Sequence, residues 1–266
     1  MLLEPLQYLL GALSGSLVGF TLGLFGGGGS ILAVPLMVYV VGVPVAHLAI
    51  GTSAFAVAAN AAANLVTHAR RGNVIWRCAL MYTVAGVAGA FVGSSLGKAM
   101  DGDKLLFLFA LLMLVVGVLM FRGRRNAGIE GATCNREKAP KVLGYGGLTG
   151  AFSGFFGIGG GFLIVPGLVA STGMPILNAI GSSLVAVTAF GLTTAVSYAF
   201  SGLVDWPLAA VFIGGGFVGG LIGARVAGVM AKRKGLLNTA FAGLIVVVAV
   251  YMAVQTGTAL LPRAGA

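Results

Sequence analysis

Two glycine-rich stretches carry the residues best placed to do chemistry. Phe25 to Pro35 reads FGGGGSILAVP and Phe156 to Pro166 reads FGIGGGFLIVP, seven of eleven positions agreeing at an offset of 131 residues. Both lie between apolar runs. Glycine costs about 1 kcal/mol relative to alanine inside a helix. Gly26, Gly27, Gly28 and Gly29 in a row therefore predict a break, with a fresh helix starting at Ser30 as its N-cap. The second copy offers Gly157, Gly159, Gly160 and Gly161, the last standing where Ser30 stands in the first. A helix start surrounded by apolar material leaves backbone N–H groups free and presents the positive end of its dipole. Glycines let a ligand approach such donors closely, and the ligand they favour is an anion.

Hydroxyls follow each break. AIGTSAFAV (49–57) matches AIGSSLVAV (179–187) at six of nine positions, now at an offset of 130, and pairs Thr52 and Ser53 with Ser182 and Ser183. These four are candidate donors to the same solute. Bonding to neighbouring helices or to their own i−4 carbonyls is the equal alternative. Asn60 and Asn64 lie four apart on one helix face, but their counterparts are Phe190 and Thr194, which makes them secondary candidates. His47, near the start of its segment, is a candidate proton carrier whose favoured reading is interfacial. Catalysis is excluded on several grounds. GIGGGF at 157–162 lacks a βαβ setting, Gly97-Lys98 is followed by Ala99, and no Ser-His-Asp set fits a membrane geometry. Cys78 and Cys134 form no CxxC pair, so neither a disulfide framework nor a metal site is expected.

The elements that must position these residues are membrane helices. Of 266 residues 58% are hydrophobic and 8% charged, with mean hydropathy +1.04, where a soluble domain carries about 25% charged residues. Apolar segments run at 6–25, 29–45, 46–67, 76–97, 104–121, 143–157, 160–174, 176–200, 207–230 and 236–256, most near the roughly 20 residues a span needs. The expected fold is an all-α integral membrane protein of about 8–10 transmembrane segments, with broken or re-entrant glycine-rich helices near the midplane. Glycines recurring every four residues, as at Gly11, Gly15, Gly19 and Gly23, read as tight helix packing. Residues 1–121 and 142–266 form two internal repeats, separated by a charged linker at 122–141. The basic loops 68–77, 122–141 and 231–235 belong in the cytoplasm. Trp76 and its counterpart Trp206 then fall at opposite membrane faces, so the repeats are expected to be inverted. The N-terminus shows no removable signal peptide, and the charge of +10 reflects topology rather than nucleic-acid binding.

GLFGGGGSILAVP (23–35), GFFGIGGGFLIVP (154–166) and the AIG[TS]S blocks resemble the sulfite exporter TauE/SafE family over nearly the whole chain. The resemblance implies a membrane transporter, of bacterial, archaeal or plant kind, for sulfite, sulfonate, sulfoacetate or thiosulfate-like anions; a bacterial inner membrane is the expected location. Its usual description as two four-helix units would make the repeats parallel, against the charge reading. The expected function is secondary transport of a small sulfur-containing anion by alternating access between the two halves. The alternatives are an anion channel of the same architecture and a non-transporting scaffold. Expected partners are the anion and the lipid bilayer, without nucleic acid, cofactor or metal. A homo-oligomer and coupling to protons or another ion stay open.

Overall fold

The computed structural model describes residues 4–123, 134, 137–157, 161–230 and 236–260. Among them the chain is helical, with no strand. Helix α1 (Pro5–Phe25) leads into a 3₁₀ stretch (Gly26–Leu32), a single turn α2 (Ala33–Pro35) and a π turn (Leu36–Val40). Then come α3 (Ala46–Arg70), α4 (Trp76–Lys98) and α5 (Gly102–Gly123). The remaining helices are α6 (Ala139–Phe156), α7 (Gly161–Thr172), α8 (Ile176–Ala199), α9 (Trp206–Met230) and α10 (Leu236–Leu260). Among the described residues five helical runs are long and apolar enough to cross a bilayer: Pro5–Val40, Ala46–Arg70, Trp76–Lys98, Ile176–Ala199 and Trp206–Met230. The chain is a multi-pass membrane protein.

The predicted break falls at the predicted place but takes a different form. The chain turns at Gly26, whose φ of 62° suits only glycine without strain. It then continues as seven residues of 3₁₀ helix, longer than such runs usually persist. Ser30 is therefore no N-cap: it sits inside the 3₁₀ stretch, and its hydroxyl donates to Gly27 O at 2.9 Å. Thr21 reaches across from α1 to donate to Gly29 O at 3.1 Å. The segment then runs back along α1, and Gln7 Nε2 donates to Val41 O at its far end. At the second glycine stretch Gly157 has φ 67°, and Lys138 Nζ donates to Thr172 O at the end of α7.

Glycine stripes set the packing. Gly11, Gly15, Gly19 and Gly23 of α1 meet Leu208, Phe212, Gly216 and Gly220 of α9 in that order, so the two helices run parallel. At Gly15 and Gly19 a β-carbon would collide with backbone of α9. A second seam joins α4 to α6, again parallel, with Gly146, Gly150 and Gly154 against Tyr82, Gly86 and Ala90. Without water to expel, close backbone approach is what holds helices together in lipid. In the centre α3 packs antiparallel to α8: Gly51 lies against Tyr198 and Leu203, while Gly181 lies against Asn73. Helices α5 and α10 pack on each other.

The cysteine expectation fails. Cys78, in the first turn of α4, is disulfide-bonded to Cys134 with Cα atoms 5.5 Å apart. A single pair 56 residues apart has no spacing signature, and only the approach of Cys134 to α4 brings the thiols together.

Candidate functional site

Helix α1 carries its terminal Phe25–Gly26 turn into the middle of the molecule, and every residue from Gly26 to Leu32 is buried. Helix α7 begins at Gly161 against the same point. A β-carbon on Gly27 would fall 2.8 Å from Gly161 Cα, and one on Gly161 would overlap Gly27. The two breaks, 131 residues apart in sequence, thus touch backbone to backbone. Gly159 and Gly160 lie outside the described residues.

Of the four hydroxyls, Ser183 comes directly to the break. Its Oγ accepts the N–H of Gly27 at 2.9 Å while donating to Ile180 O at 2.7 Å. The donor it holds is one of those freed by the turn at Gly26, and it is held from the other half of the chain. Ser53, its counterpart on α3, is fully buried and donates to Ile50 O at 3.0 Å. Ile50 in turn packs against Gly157, at the second break. Thr52 and Ser182 do something else. Thr52 Oγ1 accepts the N–H of Asp205 and Ser182 Oγ accepts the N–H of Ile75, both at 2.9 Å. Each fastens the loop before a helix of the opposite half, α9 in one case and α4 in the other.

Asn60 and Asn64 share a face of α3, as their spacing required, and turn toward α9. Asn60 lies over Gly216 and Asn64 over Gly220, room that only glycine leaves. Asn64 Nδ2 donates to Asn60 O at 2.9 Å. Asn60 is 1% exposed, and neither end of its amide has a hydrogen-bond partner. Buried amides are ordinarily satisfied, so this one is held at a cost. The face continues one turn further to His68, fully buried, whose Nε2 donates to Gly23 O at 3.0 Å and whose Nδ1 accepts from Asn73 Nδ2 at 3.3 Å. That clamp on the last turn of α1 was legible only as an i, i+4, i+8 continuation of the asparagines. His47 stands apart, half-buried at the start of α3, with Nε2 bonded to Met100 O at 3.0 Å. Among the described residues no cluster of three His, Cys, Asp or Glu side chains could hold a metal ion.

The polar groups at the first break are neutral: the Gly27 N–H and the Ser183 hydroxyl that accepts it, while the Ser183 and Ser53 hydroxyls donate to carbonyls of their own helices and the unpartnered Asn60 amide lies apart, over Gly216. Among these described residues there is no nucleophile–base pair. The model of the family described as sulfite exporter TauE/SafE matches residues 11–252. A Xylella fastidiosa (strain 9a5c) protein named "Probable membrane transporter protein" is 55% identical over 240 residues, covering 90% of this chain and 92% of that protein. A Haemophilus influenzae protein of the same name is 32% identical, covering 73% and 74%. "Probable membrane transporter protein YdhB" of Bacillus subtilis is 26% identical, covering 86% and 96%. No solved structure matches. The matched span runs from α1 to α10 and takes in both breaks, and the chain belongs to the TauE/SafE sulfite exporter family of membrane transporters.

Proposed function

We propose that this chain is a secondary transporter for a small sulfur-containing anion of the sulfite, sulfonate, sulfoacetate or thiosulfate class, seated in a bacterial inner membrane. The anion binds where the two breaks meet, among the amides of Gly26–Ser30 and Gly157–Gly161 with Ser53 and Ser183 beside them. One observation carries this reading: Gly27 touches Gly161 in the buried centre, with its N–H already turned onto a serine hydroxyl of the opposite half. A matched pair of helix breaks is where transporters of repeated architecture hold their solutes. Thr52 and Ser182 act as positioning residues, and Asn60 is a further donor for a bound oxyanion. A neutral site suits a carrier, because a fully charged one would hold the anion too tightly to let it go.

Inverted repeats underlie the mechanism. The positive-φ residues among those described fall into three matched pairs: Gly26 with Gly157, Gly42 with Gly173, and Gly72 with Gly202. The equivalent helices α3 and α8 run antiparallel. Both facts support a two-fold relation between 1–121 and 142–266. The seams join α1 to α9 and α4 to α6, so in this reading the bodies that rock are these hybrid pairs, not the two sequence halves.

The test is flux of ³⁵S-labelled sulfite into proteoliposomes under an imposed pH gradient, with unlabelled sulfonate, sulfoacetate, thiosulfate and sulfate as competitors. Saturable uptake blocked by at least one of these is expected. Uptake equal to that of empty liposomes for the whole panel would remove the substrate class and leave the fold. Linear, non-saturable flux would give the channel reading the lead.

A further inference from the structure

The two breaks are covered by phenylalanines that the glycine motifs do not contain. Phe241, on α10, lies with its ring over Gly28, where a β-carbon would collide with it, and stacks on Phe25 at 5.3 Å between centroids. Phe109, on α5, packs on Phe156 at 5.7 Å and on Phe162 at 5.8 Å, on either side of the second break. Phe25 and Phe156 occupy the same position of the repeated motif. Phe25 and Gly28 are therefore covered from the opposite half by α10, and Phe156 and Phe162, which flank the second glycine stretch, from the opposite half by α5. Both rings are 1% exposed, and their parent helices pack on one another.

We propose that Phe109 and Phe241 form a paired apolar plug that closes the anion path over the two breaks and is withdrawn as α5 and α10 move. This rests on the reading that the breaks face the solute. An apolar constriction needs no charge to stop an anion, because water will not wet it. Gly28 is then glycine to let a ring lie flat on the backbone. The cross-covering has a mechanical consequence: moving the α5–α10 pair changes access to both breaks, as a carrier that must not open on both sides requires.

The experiment reads access to the break without needing to know the solute. In a Cys78→Ala/Cys134→Ala background reconstituted in liposomes, Ser30→Cys supplies the reporter thiol. The probe is 2-sulfonatoethyl methanethiosulfonate, a membrane-impermeant anionic thiol reagent. Phe241→Ala is expected to speed modification at position 30 about tenfold or more, with a smaller rise for Phe241→Leu, which keeps most of the apolar volume and guards against misfolding. Phe212→Ala truncates an equally buried ring on α9, away from the breaks, and is expected to leave the rate unchanged. An equal rise in Phe212→Ala and Phe241→Ala would mean general loosening and overturn the proposal. No rise in either Phe241 variant would also overturn it. Faster labelling with no sulfite flux would keep the plug and discard the substrate.

Discussion

The hydroxyls divide by what they already hold. Thr52 and Ser182 each accept a backbone N–H from a loop of the opposite half, and replacing either by alanine leaves that donor unpaired. Such a loss costs about 1–3 kcal/mol. Ser182→Ala is thus expected to lower the thermal midpoint in detergent while leaving the KM for the transported anion unchanged, as dye-monitored unfolding and flux kinetics would show. A raised KM with unaltered stability would move Ser182 into the binding site. Sequence placed all four hydroxyls in one class because their motif positions are equivalent. The division arises from the loops at Ile75 and Asp205, which return to these helices from a distance and leave no local pattern. The glycine break was legible because four glycines in a row oppose any continuous helix. Its 3₁₀ form was not, since it depends on Thr21 reaching across to Gly29 O.

At the scale of elements, the seams decide what the helices tolerate. Gly19 of α1 has Gly216 backbone where a β-carbon would go, whereas Gly214 of α9 faces open space. Gly214→Ala is expected to be neutral or to stabilise by up to about 1 kcal/mol through helix propensity alone. Gly19→Ala must force α1 and α9 apart and should cut the yield of monodisperse protein on size-exclusion chromatography severalfold. Equal behaviour of the two variants would mean that the α1–α9 seam is not a close-packed one. The four-residue glycine period announced such seams, but not their partners. That a first-half helix pairs with a second-half helix depends on the three-dimensional crossing, to which a periodicity along one helix is blind. The aromatic covers stayed hidden for the same reason, since Phe109 and Phe241 look like any apolar residue of a membrane span.

At the scale of the whole molecule, the charge pattern and the disulfide make different demands. By the rule that basic loops stay on the inner side, Arg70, Arg71, Arg77 and the basic residues of 122–141 predict that the Cys78–Cys134 end of the bundle faces the cytoplasm. Thiols are kept reduced there. The expected outcome is two free thiols in intact cells trapped by acid-quenched alkylation, with the bond closing after purification in air. A bond already closed in the cell would put this face outside and reverse the orientation. Either orientation leaves the contact of Gly27 with Gly161 unchanged.

The most direct measurement of an anion held between the two breaks is the sulfite flux of Ser53→Ala/Ser183→Ala beside the unaltered protein, in proteoliposomes matched for folded protein. A hydrogen bond to a charged group contributes about 1.5–3 kcal/mol. Loss of these two hydroxyls should therefore raise the KM for sulfite about tenfold or more. An unchanged KM in a folded double variant would contradict the claim that the anion sits between the two breaks.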